Sequence, residues 1–102
     1  VINKQVMHFG EKIRQLREKK ELLQRQLASS LEIDTPMYSK IERGERKAKR
    51  EQVIALAQLL NANEEELLTI WLSDKIIENV GDETAALATL KLAEKELKKK
   101  SK

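Results

Sequence analysis

The chain has 102 residues, 40% of them hydrophobic and 36% charged, with a net charge of +3 and one each of Trp, Tyr and Phe. That length gives one domain with at most a short appendage. With no cysteine there are neither disulfides nor thiolate metal sites, and with no run of about 18 apolar residues no transmembrane helix is expected.

Leucine, alanine, glutamate, lysine and glutamine dominate, while glycine is scarce and proline single, which is a helical composition. Residues 1–8 show no periodicity and are expected to form a flexible lead-in. They lack the apolar core of a signal peptide. Two starts fit: Met7 as the natural one, or Val1 from an alternative start codon. Phe9, Ile13, Leu16 and then Leu22 or Leu23 sit at helical spacing, so Gly10–Lys20 is the first predicted helix. The charges Glu11, Lys12, Arg14, Glu18 and Lys19 make its solvated face.

Gln24 to Gly44, QRQLASSLEIDTPMYSKIERG, reads as two short helices meeting at a tight bend. Leu27, Leu31, Ile33, Tyr38 and Ile41 can share one core, and Ala28 is small enough to let a second helix cross closely. Asp34 can cap the second helix, and Pro36 tolerates an early position because its missing N–H would lack a partner anyway. Gly44 stops it, since glycine adopts the left-handed conformation cheaply. The outward positions are Thr35, Pro36, Ser39, Lys40 and Arg43, all polar or positive apart from the proline.

From Lys40 to Arg50 six positive residues (Lys40, Arg43, Arg46, Lys47, Lys49, Arg50) face two negative ones (Glu42, Glu45). A hydrophilic loop would also look like this, but adjacency to the preceding helix points Arg46, Lys47, Lys49 and Arg50 toward phosphate. Gln24 is a further phosphate candidate, because free backbone N–H groups at a helix start favour anions. Val53, Ile54, Leu56, Ala57 and Leu60 predict a fourth helix over Glu51–Leu60, ended by Asn61. Asn63 with Glu66 is a capping-box spacing that opens a fifth helix, and Glu64–Glu66 suit its dipole. The fifth helix should close the core through Leu67, Leu68 or Trp71, leaving Ile70, Leu72, Ile76, Ile77 and Val80 without an obvious use. Gly81-Asp82 breaks the pattern, and Asp82 is expected to cap a sixth helix, Glu83 to about Lys98, with Ala86, Leu87, Leu90, Ala93 and Leu97 on one stripe. Lys98–Lys102 is expected to be a disordered basic end.

Gln24–Gly44 resembles the helix-turn-helix of the lambda-repressor-like (XRE-type) DNA-binding family. The matching features are Gln24 opening the first helix, Leu27-Ala28, the turn position Ile33, and Ser39-Lys40-Ile41-Glu42-Arg43-Gly44 closing the second. Phe9 to about Trp71, about two thirds of the chain, follows the family's five-helix layout. The resemblance implies an all-α fold with a five-helix lambda-repressor-like domain over residues 9–72. The apolar pattern adds an extended fifth helix and an additional C-terminal helix, a C-terminal helical extension over 73–98, followed by a basic tail (99–102). The resemblance also implies an ion pair between Arg17 and Glu42 that clamps the first helix to the third. The chain departs from the family in carrying Glu21 and Glu32 where glycines are usual and Leu23 where a serine or threonine cap is usual. Thr35-Pro36 stands where many relatives carry glutamine, which bears on base preference.

No catalytic constellation is visible. His8 is the single histidine, more consistent with an exposed or packing role than with a ligand or base, and nothing completes a zinc site. The adjacent pairs Ser29-Ser30 and Ser39-Lys40 point in different directions on a helix. No cofactor is expected, nor an enzymatic function. The expectation is a cytoplasmic, sequence-specific double-stranded-DNA-binding regulator, a repressor or autoregulator. Thr35, Pro36, Ser39, Lys40 and Arg43 would meet base edges. The surface from Ile70, Leu72, Ile76, Ile77 and Val80 to Leu87 and Leu90 would form a homodimer interface, or fold into a hairpin that contributes to one. The alternative is a helical protein-interaction module, such as an antitoxin or restriction–modification controller component, whose main partner is a protein.

Overall fold

Apolar residues at helical spacing become six helices in the computed structural model, which describes residues 8–101. They are α1 (His8–Lys19), α2 (Gln24–Leu31), α3 (Thr35–Glu42), α4 (Arg50–Leu59), α5 (Glu64–Val80) and α6 (Ala86–Lys100), with no strand among the described residues. The expected lead-in falls outside the described residues up to residue 7, and both candidate starts fall there too. His8 already belongs to α1.

The core gathers Phe9 and Ile13 of α1, Leu27 and Ala28 of α2, Tyr38 and Ile41 of α3, Val53, Leu56 and Ala57 of α4, Ala48, Leu60, and Leu67 and Trp71 of α5. The packed helix pairs are α4 with α5, α2 with α3, α1 with α5 and with α3, and α2 with α4. Gly10 permits a close approach between α1 and α3. A Cβ there would lie 2.5 Å from the Glu42 carbonyl oxygen and 2.6 Å from that of Ile41, so α1 rests directly on the end of α3.

Four helix ends close in the same way. The N–H groups of Leu22, Ile33, Glu45 and Ala62 reach back to the carbonyls of Arg17, Ala28, Lys40 and Ala57. The residue before each of them is left-handed: Glu21 (φ 58°), Glu32 (φ 61°), Gly44 (φ 77°) and Asn61 (φ 54°). Glu21 and Glu32 therefore adopt the conformation that glycine would take, at about 1 kcal/mol each, and satisfied end carbonyls offset that cost. Asp34 accepts from the Met37 N–H at 2.7 Å and Asn63 from the Glu66 N–H at 2.7 Å, capping α3 and α5. At Leu23 and Lys49, which offer no side-chain acceptor, the glutamine three residues on turns back instead: the Leu23 N–H donates to Gln26 and the Lys49 N–H to Gln52.

The C-terminal third differs from the sequence expectation. α6 begins at Ala86, its N-cap is Ala85 without a side-chain bond, and Asp82 does not cap it. The helix runs on through Lys98–Lys100, so the basic end is helical up to Lys100. Nor is there a packed hairpin: α6 is absent from the packed helix pairs and buries none of its side chains. Ile70 packs against the core and is not part of the free apolar surface.

Candidate nucleic-acid interface

Every outward position of α3 is held in place by what lies on its inward face. Tyr38, Ile41 and Glu42 are buried, while Pro36, Lys40 and Arg43 are exposed and Thr35 and Ser39 half-exposed. Two carbonyl-to-amide closures and the Asp34 cap fix both ends of this eight-residue helix.

Glu42 anchors it to the rest of the fold. Its side chain is 2% exposed. Arg17 grips it with a fork, Nε to Oε2 at 2.7 Å and Nη2 to Oε1 at 3.0 Å, and the Gln24 amide donates to Oε1 at 3.0 Å. A third arm of Arg17, Nη1, donates to the Leu22 carbonyl at 2.9 Å, so one side chain ties α1, the α1–α2 turn and α3 together. Burial alone would push the Glu42 carboxyl up. Hydrogen bonds from Arg17 and Gln24, the nearby Tyr38 hydroxyl and the guanidinium charge outweigh it, and its pKa lies below the usual carboxylate value. The bond to Glu42 holds the Arg17 guanidinium above its ordinary value. The Tyr38 hydroxyl is buried beside the same carboxylate but short of good hydrogen-bond geometry. Burial first, and the adjacent negative charge second, raise its pKa. Gln24 thus opens α2 as expected, yet its side-chain amide is engaged by Glu42.

On the outer face Arg43 forms its own network. Nε and Nη2 pair with the two Glu45 carboxylate oxygens, each at 3.1 Å, and Nη1 donates to the Ser39 hydroxyl. The Glu45 bond raises the Arg43 pKa, and Arg43 lowers that of Glu45.

The basic segment after Gly44 runs outward because its single apolar residue runs inward. Ala48 is buried, and the Trp71 indole N–H donates to its carbonyl at 2.9 Å. Arg46, Lys47, Lys49 and Arg50 are all exposed. Arg50 lies 5.4 Å from the Trp71 ring centroid and Lys75 3.8 Å from it. Lys47 pairs with Glu78 at 2.7 Å, so α5 supports this segment along its length. The outward residues of α3 and Arg46–Arg50 follow one another along the chain, and Lys47 and Arg50 lie against α5.

Sequence reasoning missed Asp74. It is 5% exposed and accepts the His8 N–H at 3.2 Å and the Phe9 N–H at 2.9 Å, capping α1 from α5, with the His8 imidazole 3.5 Å away. The cap and the helix lie 65 positions apart, and the only local signal was an acidic residue on an otherwise apolar stretch of helix. Among the described residues no cluster of His, Asp or Glu is arranged to hold a metal ion, and none of the helices is long and apolar enough to cross a membrane.

A family model described as a helix-turn-helix domain matches residues 8–69, from the start of α1 into α5. No curated protein and no solved structure matches the chain.

Proposed function

The chain belongs to the helix-turn-helix domain family, and from that premise we propose that it is a dimeric regulator of transcription that reads an operator of two-fold symmetry through α3. The observation that carries this reading is the exposed outer face of α3, held rigid from behind by Glu42 and continued by four exposed basic residues. Such a helix fits the major groove. Thr35, Pro36, Ser39, Lys40 and Arg43 would face base edges, Pro36 against a thymine methyl, and Arg46, Lys47, Lys49 and Arg50 would meet phosphates. One eight-residue helix reads only a few base pairs, and a two-fold dimer doubles the contacts.

Selection of bound sequences from a random DNA pool tests this directly. A palindromic consensus with half-sites about one helical turn apart supports it. Retention of no sequence above background overturns it, and a stable complex with another protein but not with DNA would favour the interaction-module alternative. Two variants separate the roles. Lys40→Ala should weaken binding by about 1–3 kcal/mol at one base pair of the selected site. Lys49→Ala, at an exposed position, should weaken selected and scrambled sites alike and flatten the salt dependence. Equal behaviour of the two variants on both kinds of site would remove the division between reading and holding.

A further inference from the structure

We propose that Glu45 and Ser39 are specificity-determining positioning residues that hold Arg43 as a fixed, charge-compensated fork for the edge of a guanine. This rests on the DNA-reading role given to α3 above and adds to it which side chain discriminates and what sets its aim.

Arginine has five N–H donors in a plane. In Arg43 the side-on pair, Nε and Nη2, is closed by the two oxygens of Glu45, and one hydrogen of Nη1 goes to Ser39. One N–H remains on each terminal nitrogen. Two parallel donors at the end of a guanidinium match guanine O6 and N7, which is the commonest specific arginine contact in the major groove.

Glu45 can reach Arg43 only because of the turn between them. Residues two apart on a helix do not face each other. Gly44, with φ 77°, reverses the chain, and the Glu45 N–H returns to the Lys40 carbonyl at 2.9 Å. The left-handed glycine therefore brings a carboxylate back alongside the last outward residue of α3, and Ser39, one turn earlier on the same face, fixes the other side of the guanidinium.

The charge has a consequence as well. A free arginine beside Arg46 and Lys49 would add one more cation for any phosphate, whatever the sequence. The Arg43–Glu45 pair carries a net charge near zero, while Arg43 keeps two directional donors. The carboxylate also works against close approach of backbone phosphates at this point, so non-specific binding is opposed while the guanine contact is kept. Attraction is thereby left to Arg46, Lys49 and their neighbours, and discrimination to Arg43.

The experiment measures dissociation constants of the full chain for the selected site, for each single base-pair change in it, and for a scrambled site, at several salt concentrations. The proteins are the parent, Arg43→Ala, Arg43→Lys, Glu45→Ala, Glu45→Gln and the double variant Arg43→Ala/Glu45→Ala. Both side chains are about half exposed, at 51% and 56%, so folding does not depend on them. Arg43→Ala should lose roughly tenfold discrimination at one G·C pair. Glu45→Ala should lose most of that discrimination at the same pair while binding scrambled DNA as tightly or more tightly, with a steeper salt dependence. Glu45→Gln, which keeps one acceptor, should fall in between. Arg43→Lys should resemble Arg43→Ala in discrimination, and the double variant should be no worse than Arg43→Ala alone. If Glu45→Ala keeps the parent's discrimination while Arg43→Ala loses it, the positioning role fails with the DNA-reading role intact. If Arg43→Ala weakens all sequences equally, Arg43 is a phosphate ligand and the proposal fails. If the parent selects no sequence at all, the functional reading beneath it falls instead.

Discussion

Glu42 links stability to the presentation of α3. Replacing it with glutamine would leave the Arg17 guanidinium, 12% exposed, without its counter-charge. Breaking a buried pair by removing one partner costs about 3–5 kcal/mol, and a lower urea midpoint for Glu42→Gln at pH 7 would show it. The direction of the Glu42 shift fixes the pH dependence. Its folded pKa lies below its unfolded value, so the stabilisation is fully present above the unfolded carboxylate pKa, about 4.3, and is lost as pH falls through the folded value. Parent stability should therefore drop more steeply below about pH 4 than that of Glu42→Gln. Parallel acid profiles for the two proteins would show that Glu42 contributes nothing to the pH dependence. At this scale the Arg17–Glu42 contact was implied by resemblance, and the outward face of α3 by the alternation of polar and apolar residues. The third donor, Gln24, and the cradle around Gly10 were not legible. Each depends on a partner 18 or more positions away, and neither residue type announces such a contact.

Helices, by contrast, are legible wherever their signals are local. Asp34 and Asn63 sit three residues before the N–H they cap, and the apolar spacing of α1 to α5 matches the faces they bury. Glu21 and Glu32 stood out only by resemblance, as positions where glycine is usual, and the structure shows them left-handed because the helix-end carbonyls demand that geometry. Local signals failed at Asp82, where an acidic residue after a glycine promised a cap that α6 does not use. They gave at Asp74 only an acidic residue in a helix, since the helix start it caps lies 65 positions away in the chain. Asp74→Ala would leave the His8 and Phe9 N–H groups without their acceptors. Loss of a cap costs about 0.5–2 kcal/mol, and burial at Phe9, which is 4% exposed, places this one at the upper end. Hydrogen exchange should show it locally: the Phe9 amide should exchange faster by more than the fall in global stability accounts for. Unchanged protection at Phe9 would mean that α1 is held by its packing alone.

For the molecule as a whole, the position of its exposed apolar residues bears most on assembly. Leu72, Ile76 and Ile77 on α5 are 42–46% exposed and Leu87, Leu92 and Leu97 on α6 are 62–75% exposed, whereas among the described residues before α5 only Leu23 and Leu59 are exposed to a comparable extent. Single exposed leucines are ordinary, whereas contiguous exposed apolar patches are the usual sites of contact with a partner. On α6 the spacing of Ala86, Leu90, Ala93 and Leu97 is the alternating four-and-three seam of paired helices. A helix that buries none of its own side chains gains little from tertiary packing, so a second copy that covers the seam would stabilise the helix and create the two-fold axis an operator requires. The combined substitution Leu72→Glu/Ile76→Glu tests this. Both side chains lie outside the core, and surface changes of this kind stay within about 0.5 kcal/mol of parent stability in a monomer. The parent should sediment at twice the 11.8 kDa chain mass, and the variant at the monomer mass. With two linked half-sites reduced to one, affinity for the full palindrome should fall by about a hundredfold or more, while affinity for an isolated half-site stays the same. A parent that sediments as a monomer at tens of micromolar and binds full and half sites equally would assign the α5–α6 surface to some other protein.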